Sequence, residues 1–531
     1  MTGMQQVFIL DENSTRIKGD DAQRSNISAA IEVANTVRST LGPKGRDKML
    51  VDETGDVIVT NDGVTILREM KIENPAAKIV VEIAKTQEES VGDGTTTAII
   101  IAGELLKRAQ VLLDAGFHPT EIARVYRETE TICQGLLGTI SKPITINDDE
   151  LLKRVCGTAI TGKSAQSNKE LLSDLLLRAS KKVFDGKLTE QSIRVIAKEG
   201  DSTQNSFLVD GVVLEKEKLG VEMLDRIPDA KIALFSCGLE VKRPGIDTQI
   251  NITDPQQLEQ FIKDEEQKLR AVFSTITKCG ANVIFCQKGV DDVFSTVLGQ
   301  YGLFCVKRVN PHDMNRLSLA TGATIVGEMS KISFNHLGNG VVSQKMFGDE
   351  SFIFVDDCPN PKAVTLFIRG GTKHIAEETK RAVEDALGDL RTALNDGNVV
   401  AGAGYPEVYL SNKLTELSLR CNLKERKIIQ SFAESLDSIP LVLAENSGLD
   451  KVEVMSKLKS GRHRKKYPGL NVFTGEVFDA WIAGVIEPVR VKRQAISSAT
   501  EVAEMILRID DVIQTKPLRS SRTPDPTEPM P

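Results

Sequence analysis

The chain has 531 residues, 40% of them hydrophobic and 27% charged, with a net charge of -7 at pH 7. That length buries several apolar cores without cross-links, and at roughly 150 residues per domain it predicts about three to four domains. The acidic balance argues against a nucleic-acid binder, which needs a basic footprint. The cysteines at 133, 156, 237, 279, 286, 305, 358 and 421 form no Cys-x-x-Cys pair, and the five histidines show no His-x-x-x-His spacing. Free thiols in a reducing cytosol are expected, and no zinc site. The start MTGMQQVFILDENSTRIKGD has no basic residue ahead of its apolar run and does not read as a signal peptide. Apolar stretches such as AIIIAG (98–103) fall far below the ~20 residues that span a bilayer. A soluble, cytoplasmic, multi-domain protein is expected.

In chain order, Ile27, Ile31, Ala34, Val37 and Leu41 predict an amphipathic helix over 20–41, stopped by Gly42-Pro43. DVIVTNDGVTIL (56–67) reads as strand, Asn-Asp-Gly turn, strand. A helix is expected over 76–90. VGDGTTT (91–97) then opens another through AIIIAGELLKRAQVLL, and Ile122, Val125, Ile132, Leu136 and Ile140 mark a third over 119–140. The middle of the chain turns β-rich: KIALFS (231–236), NVIFCQ (282–287), LFCVKRV (303–309) and ATIVG (323–327), with helices between the last three, predict a separate βα domain. The long insert after KIALFS enters a helix at Asp254-Pro255 and carries Ile246, Ile250 and Ile252, which suggests a protruding arm. AVTLFIRGG (363–371) is a strand leading into a helix over 373–395, with Ile375, Ala382, Val383, Ala386, Leu390 and Leu394 facing inward. A glycine-rich loop follows, NDGNVVAGAGYPE (395–407). After further helices, 485–513 holds a strand VRVK and a last helix. The proline-rich tail is expected to be disordered. Helices at both ends around a βα centre predict a nested insertion. The basic run KSGRHRKKY (459–467) reads as a solvated loop or an anion patch.

Gly157–Ser164 fits G-x-x-x-x-G-K-[ST] letter for letter, but a P-loop needs a strand before it, and DDELLKRVC reads as a helix. Gly92-Asp93-Gly94-Thr95-Thr96-Thr97 places two glycines, three hydroxyls and free N–H groups at a helix start, where anions are favoured. Asp93 fits there if a divalent cation separates it from a phosphate; simple helix capping explains the residues equally well. LGPKG (41–45) is a backbone cradle or a helix stop. Asp62 in a turn, Asp385 beside a buried stripe and Ala401–Gly404 in a tight loop carry no function singly.

Together, LGPKG, TNDGVTIL, VGDGTTT, VAGAGYPE (400–407), GANVIFCQKGVDD (280–292) and VIEPVRVKRQAISSATE (485–501) resemble the group II chaperonins, the thermosome and TCP-1 family of archaea and the eukaryotic cytosol, over roughly residues 15–515. The arm at 240–270 resembles that family's built-in lid. The resemblance implies a multi-domain α/β chain: an equatorial ATP-binding domain (1–145 and 401–531), an intermediate hinge domain (146–212 and 366–400), and an apical domain (213–365) that binds non-native protein. It implies a double ring of identical or related subunits, in which Mg²⁺-dependent ATP hydrolysis closes the lid, with neither nucleic acid nor membrane as partner. By the same resemblance, Gly42, Pro43, Gly94, Thr95, Thr96 and Thr97 lie against the phosphates, and Asp93 holds Mg²⁺. Asp62 and Asp385 orient the attacking water, Lys163 senses the γ-phosphate, and Gly404 and Glu487 contact ribose and base. Ile246, Ile250, Ile252, Leu258 and Phe261 are candidate client contacts. The family's usual three glycines stand here as Gly402-Ala403-Gly404, and its Gly/Met-rich tail is replaced by a Pro/Ser/Thr-rich one. A P-loop NTPase using Gly157–Ser164 and a non-catalytic ring scaffold are the alternative readings.

Overall fold

A computed structural model describes residues 14–51, 55, 57–220, 222–239, 274–290, 298–299, 301–460 and 465–515. The arm at 240–270, with Ile246, Ile250, Ile252, Leu258 and Phe261, and the proline-rich tail lie outside the described residues. The chain divides into two compact units. A terminal unit takes the residues up to Ser141, Gly402–Ala480 and those from Val491 on; a central unit takes Lys142–Ala401 and Trp481–Arg490. The sequence leads to an expectation of three nested domains; the contacts divide the described chain into these two units.

The terminal unit is built around the helix Thr95–Asp114. Its residues from Thr97 to Leu106 are all buried, the pattern of a helix covered on every side. The helix Gly19–Arg38 lays Ile27, Ala30, Val33, Ala34 and Val37 against it. The two approach closely at Gly103, where an added Cβ would lie 2.4 Å from the Ala34 Cβ. Pro75–Ser90, Pro119–Ile140 and Leu423–Leu436 complete the surrounding layer. In Pro119–Ile140 the buried stripe runs Ile122, Tyr126, Thr129, Cys133 and Leu137. Ile132, expected inside, is 38% exposed; Cys133 and Leu137 take the inner positions one step further on.

Two sequence expectations fail here. The hairpin is real but is formed by Lys48–Val51 and Val57–Thr60; TNDG is not its turn. Asp62 instead caps a helix, Gly63–Glu69, accepting bonds from the Val64 and Thr65 N–H groups. VRVK is not a strand either: the strand is Ile486–Pro488, and the helix Val489–Leu507 begins with VRVK. Beyond it Asp511–Thr515 forms an antiparallel ladder with Ser14–Lys18.

The central unit holds two kinds of core. The first packs the helices Asp149–Ile160, Lys169–Val183 and Lys373–Asp396 on a three-stranded sheet in which Val364–Gly370 lies between Ile193–Glu199 and Phe207–Val209. Ile375, expected on the inner face of the long helix, is 47% exposed, because the stripe starts at Ala376 and Thr379. The second is a mixed sheet ordered Phe304–Val306, Val283–Cys286, Arg226–Phe235, Gly338–Phe347, Glu350–Asp356, Val212–Leu214, with Ile325–Val326 also beside Arg226–Phe235. The pairings of Arg226–Phe235 with Val283–Cys286 and Ile325–Val326, and of Val283–Cys286 with Phe304–Val306, are parallel. Ile232 and Leu234 face one apolar core and Ala233 and Phe235 another, as a strand covered on both faces requires. The loop expected at 395–407 is partly strand: Asn398–Ala401 pairs with Ile486–Pro488 and Lys142–Pro143.

Candidate functional site

In the terminal unit the structure brings several of the nominated residues together. Gly94 is the N-cap of Thr95–Asp114 at φ 80°, and among the described residues no side chain caps that helix. Its first N–H groups are the orphan donors every helix start leaves. Thr95 and Thr97 are buried, and Asp93 and Thr96 are partly exposed. The Asp62 helix abuts this start, since a Cβ at Gly63 would lie 2.8 Å from the Thr96 Oγ1 and 3.5 Å from that of Thr95. Asp62 is held firmly. Its Oδ2 accepts from the Thr65 N–H at 2.8 Å and hydroxyl at 2.7 Å, while Oδ1 takes a long 3.4 Å bond from the Val64 N–H.

The Gly42-Pro43 and Gly404 loops meet a common support, the helix Ser438–Asn446. Gly42, at φ 84°, leaves no room for a side chain: its Cβ would fall 2.3 Å from the Leu443 Cδ2. The Asn446 side chain donates to the Arg38 and Leu41 carbonyls at 3.1 and 2.9 Å, pinning the same turn. Gly404, at φ 78°, is the N-cap of Tyr405–Ser418 and faces Pro440. Ala403 is left-handed at φ 56°, the conformation for which glycine is suited. Its carbonyl accepts from Leu470 N–H at 3.0 Å.

Lys163, Asp385 and Glu487 belong to the central unit. Lys163 forms an ion pair with Asp385, both partly exposed. Asp385 lies midway along Lys373–Asp396, and Lys163 precedes the short turn Ser164–Asn168. Glu487 sits opposite Val400 in the strand pair. The P-loop alternative fails on local structure. Gly157–Ile160 is the last turn of the helix Asp149–Ile160, so no strand leads into Gly157.

Sequence reasoning missed the residues that support these loops. Gln87 is buried and its amide reaches the Asp93 and Val491 carbonyls. Its signal was available, as a polar residue one helical step beyond Val80, Ile83 and Ala84 on a buried stripe. The buried pair Glu407–Lys492, 3.1 Å apart, had no such signal, because its members are distant along the chain.

As a donor set the terminal-unit group offers two partly exposed carboxylates beside the helix amides, Asp93 and an Asp62 bonded to its own helix. That suits Mg²⁺, which keeps several waters and takes one or two carboxylates plus substrate phosphates. Among the described residues no group of three or more His, Cys, Asp or Glu forms a self-contained metal cage. No helix among them is long and apolar enough to cross a membrane.

A sequence profile of the TCP-1/cpn60 chaperonin family matches residues 33–517. Thermosome subunit beta of Methanothermobacter thermautotrophicus is 48% identical over 521 residues, 98% of this chain and 96% of its own. Thermosome subunit beta of Archaeoglobus fulgidus is 47% identical over 98% of this chain and 96% of its own. A thermosome subunit of Pyrococcus horikoshii matches at the same identity and coverage.

Proposed function

The chain belongs to the TCP-1/cpn60 chaperonin family, and on that premise we propose how its residues perform the work of an ATP-dependent chaperonin subunit. It hydrolyses ATP and acts in oligomeric rings that assist protein folding. The terminal unit is the equatorial, nucleotide-binding part. The central unit comprises an intermediate part around the three-stranded sheet and an apical part around the mixed sheet, with the lid arm inserted at about 240–270. Two rings stack, and closure of the lid arms encloses a non-native client in the cytoplasm.

The observation that carries the site assignment is the uncapped N-terminus at Thr95–Thr97 with Asp93 and the Asp62 helix against it. The amides and hydroxyls of 94–97 hold the phosphates, helped by the backbone at Gly42 and Pro43. Bound Mg²⁺ would neutralise phosphate charge, with Asp93 as its protein ligand. Gly404 and Glu487 serve the ribose and base. Phosphoryl transfer to water needs positioning and charge neutralisation more than covalent chemistry. Asp62 is suited to hold the water, because its Oδ2 is committed to its own helix and its Oδ1 is only weakly used. Asp385 supplies the second water-orienting carboxylate. Lys163 now pairs with it, and drawing Lys163 to the γ-phosphate releases that carboxylate for the reaction. Hydrolysis is thereby coupled to a hinge motion.

The test is phosphate release at saturating Mg²⁺-ATP. Asp385→Ala lowers kcat at least about 100-fold while rings still assemble and bind nucleotide. Normal turnover by that variant would remove Asp385 from its role. An inactive wild-type ring would favour the scaffold alternative.

A further inference from the structure

Gln87 is wholly buried, at 0% exposure, on the helix Pro75–Ser90. Its Nε2 donates to the Asp93 carbonyl at 2.8 Å and to the Val491 carbonyl at 3.3 Å. Two carbonyl acceptors decide the amide's orientation, since the flipped amide would press Oε1 against both oxygens. The result leaves Oε1 buried with no hydrogen-bond partner among the described residues. The backbone carbonyl of the same residue accepts the Val91 and Gly92 N–H groups at 3.0 and 3.3 Å. One residue therefore holds the turn at both ends. Gly94 makes this grip possible: a Cβ there would lie 2.6 Å from the Val491 Cγ1 and 3.0 Å from the Gln87 Nε2.

We propose that Gln87 is the positioning residue of the Gly92–Thr97 loop, setting the direction in which the Gly94 amide points. In a trans peptide the C=O and the following N–H point in opposite directions. Holding the Asp93 carbonyl inward on Gln87 turns the Gly94 N–H outward, away from the buried amide and towards the face where a phosphate oxygen binds. Without the grip the Asp93–Gly94 peptide is free to rotate about the Asp93 Cα–C and Gly94 N–Cα bonds, and the donor is no longer preset. The inference rests on the nucleotide reading of this loop and adds to it a residue that touches no substrate atom.

The test uses the full-length chain and two variants. Gln87→Met keeps the length and apolar body and removes the donor. Its KM for Mg²⁺-ATP and its Kd for ADP rise about tenfold or more, since small misplacement of a bound group is costly, while kcat at saturation falls less. Gln87→Glu keeps the shape; burial favours its neutral form, which donates one bond to the Asp93 carbonyl. Its KM rises with pH as that proton is lost, a profile absent from the wild type and from Gln87→Met. A KM for Gln87→Met within twofold of wild type overturns the inference. Should Gln87→Met fail to fold, Gln87→Leu takes its place, and a KM within twofold of wild type overturns the inference. A wild-type chain that binds no ADP overturns the nucleotide reading and this inference with it, whereas a wild-type chain that binds while Gln87→Met binds equally sinks the inference alone.

Discussion

Ala403 shows how much a single backbone angle says about a site. The residue sits at φ 56°, where a Cβ costs roughly 1–2 kcal/mol, a cost that its neighbour Gly404 at φ 78° avoids. Ala403→Gly relieves this strain but frees the unfolded chain. The expected net change in stability is about 1 kcal/mol or less, with nucleotide affinity intact, measured by urea unfolding and ADP titration. Gly404→Ala has the opposite sign: at φ 78° with Pro440 3.2 Å from the added Cβ, it destabilises and weakens ADP binding. The pairing of Lys163 with Asp385 was beyond the sequence, because the residues stand far apart along the chain and meet only where the turn after Asp149–Ile160 packs on Lys373–Asp396. We expect Lys163→Ala to weaken the link between hydrolysis and lid closure. Protease protection should then fall while ATP turnover persists; unchanged protection would count against a coupling role. The motif around Lys163 was legible as something other than a P-loop, since acidic capping and an apolar stripe already marked its approach as helical.

At the scale of elements, the long amphipathic helices were readable because their stripes repeat over several turns. Errors came where one local signal has two structural uses. Asn-Asp-Gly followed by Val-Thr-Ile-Leu suits a hairpin, yet Asp is also a strong N-cap, and Thr65 gives it two hydrogen bonds there. VRVK alternates like a strand but continues into a stripe of Ala495, Ile496 and Ala499 that packs inside. The loops of the site depend on pairs between elements that no local pattern encodes. Glu407 and Lys492 are 2% and 9% exposed as side chains, so removing one partner strands a buried charge. Lys492→Met is expected to cost about 3–5 kcal/mol, read as a lower urea midpoint. Glu445 on Ser438–Asn446 is a gentler case. Hydrogen bonding and charge from Lys451, joined by Arg38, hold its carboxyl below the usual glutamate range. A depressed carboxyl adds stability above its unfolded value, and that contribution disappears as pH falls through the folded value. Unfolding midpoints of wild type and Glu445→Gln should therefore differ near neutrality and converge as pH drops below about 4.

For the molecule as a whole, pattern change along the chain predicts a nested division, because helix-rich and β-rich stretches bury their apolar residues with different periods. Sequence placed three domain names on it; the compact division visible in the fold is into two units, with distinct cores inside the central one. Electron micrographs of the purified chain should show stacked rings, and Mg²⁺-ATP should make the 240–270 segment resistant to protease; isolated monomers under all nucleotide conditions would refute ring assembly.

The ladder between Ser14–Lys18 and Asp511–Thr515 also sets a timetable for biogenesis. A ribosome delivers the early helices first, yet the strand and helices that complete their unit emerge only after the whole of Lys142–Ala401 has been made. At about 5–20 residues per second this leaves the first helices waiting for tens of seconds with part of their apolar surface uncovered. The central unit, contiguous apart from its short return at Trp481–Arg490, can mature meanwhile. A subunit of a folding machine is thus, during its own synthesis, a nascent chain in need of shelter.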